Sequence, residues 1–580
     1  MGSDFQRTIL WVVLAAAVFM LWDNWQVYNG KPSFLGQPSV AEQQAQQEAA
    51  QKQADASVPD VGTGSEAVAK GMIQTQSPVN VQNDLLKLTI DEQGAVVTRA
   101  ELLQEHQQAD WTEVGLAGMI LGKTAPETKN IELFNVSSKH VYVAQSGLIG
   151  GDFPNHKSQY KFLGTKTSTE FDEELKRDVK VTTATFEAEQ GSVKVQKQFI
   201  LPDGHYGLTV RDVITNNGTT AVRPSVYYQL TRDGAKPEGE SSFYYTYTGP
   251  AIYTDEDKFH KVPFDDVADQ RPVKADNGWV AMIQHYFLSA WADVRGENVK
   301  VQRELYTSKL DNDLYAVGSI VRMNAVEPGQ TVTQNEVLYV GPQDQARLAY
   351  IADGLDLVVD YGWLTFLAKP IYSVLNFLHG LVGNWGWAIV LLTCLVKAIL
   401  YPISAAGYKS MARMKEVTPR MKALQEQYGN DKQRYQQAMM ELYKREKINP
   451  VGGCLPIFLQ IPVFLSLYWV LLASVELRGS EWIFWVSDLA MPDPWFILPA
   501  IMMLTMFLQI KLNPTPTDPM QAKMMVIMPL VFGVMFFFFA SGLVLYWLTN
   551  NVLSIWQQWY VNRQIATERA NRLAAANSKK

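Results

Sequence analysis

The chain has 580 residues, a formal net charge of −7 and two cysteines. That length exceeds a single typical domain, and the acidic balance argues against direct nucleic-acid readout, which favours a basic surface. Cys394 and Cys454 both lie in or beside apolar runs, so the cysteine-free stretch 26–384 is no disulfide scaffold and must rest on a true core.

Residues 8–22, TILWVVLAAAVFMLW, form the first apolar run, just after Arg7. Its small residues lie mid-run, whereas a signal-peptide cleavage site normally follows the apolar stretch. The segment 1–25 therefore reads as an uncleaved signal anchor, with Trp22 and Trp25 placed for the interface. Residues 26–80 are rich in Gln, Ala, Ser and Glu without a sustained apolar stripe, and read as a flexible linker. From 81 to 345 the pattern changes to alternation. VKVTTATFEAE, GSVKVQKQFILPDGHYGLTVRDVITNNG and RPSVYYQLTRDG alternate apolar and polar residues, with turn signals at Pro202-Asp203-Gly204 and Asn216-Asn217-Gly218. Many closely spaced strands without alternating helices predict a large antiparallel sandwich.

Residues 346–384 carry Leu364, Phe366, Leu367, Ile371, Leu375 and Leu378 at helical spacing, interrupted by Lys369 and His379. This predicts an amphipathic helix region lying in the membrane interface. Apolar runs then follow at about 385–403, 454–475, 495–510, 525–539 and 543–560. The last two are separated at Ala540-Ser541-Gly542, and charge supports the break. Residues 404–452 carry ten basic residues against five acids and belong on the cytoplasmic side. The loop 476–494 has four acids and Arg478 and fits the outside, while Lys511, Lys523 and the basic tail 563–580 fit the inside. The expected architecture is a polytopic α-helical membrane protein with six spans, both termini cytoplasmic, and an all-β external domain.

The run LLTCLVKAILYP, 391–402, holds Lys397 in its interior. An ammonium at a helix centre costs roughly 2.5–3.5 kcal/mol on insertion scales and is a functional signal by default. Snorkelling toward the headgroups is the structural alternative. No Asp or Glu occurs in any of the six spans, so an ion pair within the bilayer is excluded and a hydrated cavity open to the cytoplasm is expected. Thr393 lies one turn before Lys397, and Gln460 interrupts the next span. Thr505 with Gln509 and Tyr546 with Asn550 form i, i+4 pairs, with Asn551 and Ser554 beyond. Any one of these suits an ordinary interhelical hydrogen bond; together with an unpaired cation they suggest a shared polar groove.

Within 404–452, Met411, Met414, Met421, Leu424 and Tyr428 recur at three- and four-residue intervals, and Tyr435, Met439 and Leu442 resume the pattern after Gly429-Asn430-Asp431. This predicts a helical hairpin with one apolar seam. Either the seam packs on itself, or Met411, Met414, Met421, Tyr435 and Met439 present an adaptable docking surface for a partner or an emerging chain. Enzyme signals are weak. The seven histidines form no HExxH, and AGMILGKT at 117–124 has Ala117 where a phosphate-binding loop needs glycine. No metal, cofactor or catalytic residue is expected.

NWGWAIVLLTCLVKAILYP, NPVGGCLPIFLQIPVFLSLYWVL, TDPMQAKMMVIMPLVF and SGLVLYWLTNN resemble the five-helix core of the YidC membrane protein insertases. The signal anchor and large external domain resemble the Gram-negative form of that family. The resemblance implies an inner-membrane insertase and chaperone, acting alone or with the Sec translocon. Nascent membrane proteins, the ribosome and the lipid bilayer are its implied partners. It also implies a periplasmic β-supersandwich and, within 385–562, a groove open to the cytoplasm and to lipid. The family's groove usually holds an arginine; the matching position here is Lys397, which keeps the charge but loses the planar bidentate fork. An aromatic pair on the last span falls on Tyr546 and Trp547. Two rivals come from other classes. A small-solute or proton-coupled transporter would need intramembrane acids and internal repeats, and a sugar-binding periplasmic enzyme would need clustered acids or histidines in the β domain.

Overall fold

The computed structural model describes residues 78–107, 128–137, 140–237, 246–294, 302–310, 313–428, 431–446, 455–512 and 519–577. The expected signal anchor at 1–25 and nearly all of the linker at 26–80 lie outside these residues. The chain divides into two units, one ending at Val359 and one running from Asp360 to the C-terminus.

In the first unit, alternation becomes two antiparallel sheets, of ten and nine described strands. Val193–Pro202 and Gly207–Asn216 alternate buried and half-buried residues along their whole length, as strands with one face on a core do. The two pair with each other, and Gly207–Asn216 also pairs with Thr331–Pro342 at the centre of the nine-stranded sheet. The sheets face one another through side chains that cross the gap. Trp291 Nε1 donates to the Gln229 carbonyl (3.1 Å), Tyr228 donates to Asp212 (3.1 Å), and Arg303 pairs with Glu336 (3.0 Å). Val226, Leu230, Leu338 and Val340 fill the space between these polar contacts and are fully buried.

The expected amphipathic region 346–384 is divided between the units. Gln345–Ile351 (α1) belongs to the β unit and is started by Asp344, whose carboxylate accepts from Ala346 N and Arg347 N. Thr365–Val382 (α2) belongs to the second unit. It buries Ala368, Ile371 and Leu375 and exposes Phe366, Phe377 and Leu381.

The second unit continues with Trp385–Ile399 (α3), Tyr401–Tyr428 (α4), Lys432–Arg445 (α5), Leu455–Ala473 (α6), Ile497–Leu512 (α7), Pro519–Met535 (α8) and Ser541–Asn577 (α9). The helix in the expected span 385–403 ends early, at Ile399, and α4 leaves at 68°. Among the described residues no single helix is long and apolar enough to cross a membrane, and α3 with α4 reaches that length and composition only as a bent pair. At 1.5 Å per residue α3 measures about 22 Å, against about 30 Å of hydrocarbon. The break expected near Ala540-Ser541-Gly542 is present as a short 3₁₀ turn at Phe536–Phe538, after which α9 begins.

Candidate functional site: a polar seam along the last helix

The sequence expected a hydrated, partnerless Lys397. The structure buries it, 6% exposed, with its Nζ donating to Ser554 Oγ on α9 at 2.7 Å. Ser554 also meets the Tyr408 hydroxyl from α4 and donates its own proton to the Asn550 carbonyl at 2.7 Å. A serine hydroxyl has one donor and two acceptor lone pairs, so these three contacts saturate it. Among the described residues the ammonium thus meets a neutral hydroxyl and not an acid.

Two neighbouring contacts complete the arrangement. Gln460 on α6 donates to Asn550 Oδ1. Asn551 donates to Thr505 Oγ1 on α7 (3.4 Å), and that hydroxyl donates to the Met502 carbonyl at 2.7 Å. Residues 550, 551 and 554 of one helix therefore reach α3, α4, α6 and α7. Successive residues turn about 100° around a helix axis, so Asn550 and Asn551 naturally address different neighbours.

Of the remaining predicted residues, Tyr546 meets Gln460 at the hub's edge and the others stand apart from it. Thr393 donates to the carbonyl of Ile389 on its own helix at 2.7 Å. Gln509 is half-buried, one turn beyond Thr505. Tyr546 is buried with its ring stacked at 6.2 Å from Phe464, and Trp547 meets Phe464 edge-on at 4.7 Å and Phe536 at 5.4 Å. This aromatic box lies one turn from Asn550, towards the start of α9.

Below the hub lies a cavity of about 460 Å³, lined by Met411, Lys415 and Glu416 of α4, Leu512 of α7, and Gln558 and Asn562 of α9 among others. Liquid water occupies about 30 Å³ per molecule, so this space suits several waters or a few side chains. It begins one turn past Ser554. The sequence reading missed Tyr408, Gln558 and Asn562. For the α9 residues the signal was present: Tyr546, Asn550, Ser554, Gln558 and Asn562 recur every four residues as a polar stripe. Tyr408 was hidden by hydropathy, because the apolar run stops before it although the helix does not.

At the opposite end the unit is tied shut. Asp493, 1% exposed, accepts from Trp495 N (2.9 Å), Leu498 N (2.7 Å) and Trp485 Nε1 (3.2 Å), starting α7. Ser541 N and Gly542 N donate to the carbonyls of Met491 and Leu489, at 2.6 and 2.9 Å.

The hairpin methionines divide. Met421 is buried with Val417, and Met414, Met439, Leu442 and Tyr443 pack against them, so this seam holds α4 to α5. Met411 instead lines the cavity, and Tyr435 is half-buried on α5.

With this geometry in hand, comparison with known proteins is informative. Residues 377–568 match a family model described as a 60Kd inner membrane protein, and residues 78–374 match one for a YidC periplasmic domain. A membrane protein insertase YidC from Bordetella petrii is 48% identical over 97% of this chain and 98% of its own. Its counterpart in Cupriavidus necator is 46% identical over 98% of this chain and 99% of its own. A crystal structure of an active YidC insertase with its first transmembrane domain resolved aligns with TM-score 0.39 at 17% identity, covering 84% of this chain and 93% of that one.

Proposed function

The chain belongs to the YidC family of membrane protein insertases, and from that premise we propose how its helical unit receives a substrate. It is an inner-membrane, multi-pass insertase and chaperone with a β-rich periplasmic domain. Members of this family act as insertases and not as chemical catalysts.

The reading is carried by one observation: Lys397, Tyr408, Gln460 and Thr505 all converge on residues 550–554 of α9. A nascent membrane protein approaches from the cytoplasm, and its short polar terminus enters the cavity bounded by Lys415, Glu416, Gln558 and Asn562. From there it meets the hub. Each interhelical bond it displaces is replaced by one to the substrate, and since a net hydrogen bond is worth only about 0.5–1.5 kcal/mol, the exchange is nearly balanced. Lys397 then attracts acidic groups that lipid would exclude. The short helices shorten the apolar path a polar terminus must cross. The apolar segment leaves along α6 and α9 into lipid as Phe464 parts from Tyr546 and Trp547.

Six spans with both termini cytoplasmic and the loop 476–494 outside give this route its direction, supported by the ten basic residues of 404–452. The domain faces the periplasm as a supersandwich of its two sheets. Nascent chains are the substrates, delivered by the ribosome directly or through the Sec translocon, and the bilayer receives them. No cofactor is needed.

Photo-crosslinking tests the route. A crosslinker at Thr505 or Ser554 should capture the polar terminus of an arrested nascent chain, and one at Ile461 its apolar segment. Capture only from the lipid-facing positions of α8, such as Val531, would remove the groove from the mechanism.

A further inference from the structure

The outer loop between α6 and α7, residues 474–496, holds two aromatics in an unusual state. Phe484 is 86% exposed with φ +53°, and Phe496 is 49% exposed with φ +56°. A bulky residue in the left-handed region is an outlier, because its Cβ crowds the following carbonyl. Where the same loop makes such a turn without steric cost it uses Gly479, at φ +68°. Strained conformers persist only where their surroundings over-determine them, and these surroundings do. Trp482 N donates to Val486 O (3.0 Å) and Val486 N to Ile483 O (3.1 Å), closing the turn that carries Phe484. Asp493 accepts from the amides of Trp495 and Leu498, on either side of Phe496. The exposed rings are therefore held outward by the loop's own bonds.

They are also continuous with an apolar surface. Phe484 stacks with Trp485 at 6.2 Å, and Phe496 lies 5.3 Å from Phe537. Trp387, 46% exposed at the outer end of α3, sits edge-on to Trp482 at 5.6 Å. Below them α3 exposes Leu391, Leu395 and Ile399, and α7 exposes Ile501, Leu504 and Leu508. A surface of this kind on helices that meet lipid is covered by lipid, and aromatic rings concentrate where hydrocarbon gives way to headgroups.

We propose that Phe484, with Trp485, Phe496 and Trp387, seats this loop in the headgroup boundary of the outer leaflet, as a lipid anchor. The loop is bonded to both ends that matter. Asn384 Nδ2 at the start of α3 donates to Glu481 O (2.9 Å), and the start of α9 donates to Met491 and Leu489. The anchor fixes the depth of α3 and α9 at their outer ends, so that opening at the hub is confined to the cytoplasmic side. This inference rests on the topology given above, which places the loop outside.

The test uses the full chain with Cys394 and Cys454 replaced by serine, in vesicles of phosphatidylethanolamine and phosphatidylglycerol. Phe484→Cys carries an environment-sensitive fluorophore, and Lys176→Cys, on an exposed turn of the β unit, is the aqueous control. The anchor predicts quenching at 484 by lipids doxyl-labelled near the headgroup, and iodide quenching several-fold weaker than at 176. Iodide quenching equal to the control, without lipid quenching, overturns it. Because Phe484→Cys itself removes the ring, a second label at Glu481→Cys keeps it. That label should be lipid-quenched with Phe484 in place and lose this quenching in Phe484→Gly, a change that relieves the backbone and removes only the ring. Iodide quenching of the 481 label in both chains also overturns the anchor. An impermeant thiol reagent on spheroplasts separates the two failures. If Glu481→Cys reacts only from within, the topology is wrong; if it reacts from outside while 484 remains iodide-quenched, the anchor alone is wrong.

Discussion

Two buried lysines, one in each unit, are compensated in different ways. Lys197, in the β unit, is fully buried and donates to Ser146 O and Oγ, both at 2.8 Å. Tyr160 offers its ring face at 5.2 Å, and the carboxylate of Asp212 supplies a counter-charge. Burial still holds the Lys197 ammonium below the usual lysine value and raises the Asp212 carboxyl. Lys397, in the helical unit, has among the described residues a single hydroxyl, Ser554 Oγ at 2.7 Å. In the β unit the Lys197 charge thus faces a carboxylate of its own domain. Among the described residues the helical unit sets no carboxylate against Lys397, and under the proposed function an acidic group of the substrate would supply one. Under the proposed function, that difference is what frees Lys397 to serve a substrate while Lys197 serves the fold.

The comparison can be broken first where the expected effect is largest. Arg303→Met leaves Glu336, 0% exposed, without the cation it pairs with across the sheets. Breaking a buried pair from one side costs about 3–5 kcal/mol. Urea unfolding of the β unit within the full chain should shift accordingly, and insertion should fall only in proportion to lost folded protein. A normal midpoint would show that internal compensation matters less there than argued.

The second test is alkaline. Burial pushes the Tyr142 phenol up to about 12 and raises Tyr160, Tyr228, Tyr306 and Tyr339 well above their usual value of 10. Groups whose folded pKa is raised contribute stability that is fully present below the unfolded value and lost as pH rises towards the folded one. The β unit should therefore weaken above pH 10, by about 1.4 kcal/mol per such tyrosine per pH unit. Phenolate absorbance of these residues should appear together with unfolding. Exposed tyrosines ionise near pH 10 in any folded chain; phenolate beyond the plateau they set, from a folded domain between about pH 10 and 11, would contradict the burial of these five.

The smallest effect concerns Ser554. Ser554→Ala removes the oxygen that accepts from Lys397; with water entering in its place the net loss is about 1 kcal/mol, less than the about 1.5–3 kcal/mol of a charge-assisted bond, or roughly fivefold in an equilibrium. Insertion of a short-tailed substrate should fall modestly in Ser554→Ala, and the same change should add nothing in a Lys397→Ala background. Equal losses in both backgrounds would mean that Ser554 acts independently of the charge.

Much of this was legible in the sequence because it rests on periodicity. Strict alternation in VKVQKQFILP set one face of a strand against a core, and the structure buries that face. The partner of Lys397 was harder to see. Ser554 lies 157 residues away, and only packing brings it within 2.7 Å. The reading that a charge without an acid must be hydrated overlooked hydroxyls as a substitute. Hydropathy also placed the end of a helix where apolar residues stop, whereas α4 carries Tyr408 on into the charged segment. Hairpin periodicity correctly indicated a seam, but spacing cannot say whether a seam faces its own partner or a foreign one. The packing of Met421 against Met439 assigns it to the hairpin itself.

The most direct measurement is insertion of a single-span protein with a short acidic tail into proteoliposomes containing wild type, Lys397→Ala or Lys397→Arg, scored by protease protection of the tail. Loss of one charge-assisted contact of about 1.5–3 kcal/mol corresponds to about tenfold or more. The account predicts that loss for alanine, retention for arginine, and an unchanged unfolding midpoint in all three. Wild-type insertion by a folded Lys397→Ala protein would show that the buried charge serves the bundle and not the substrate.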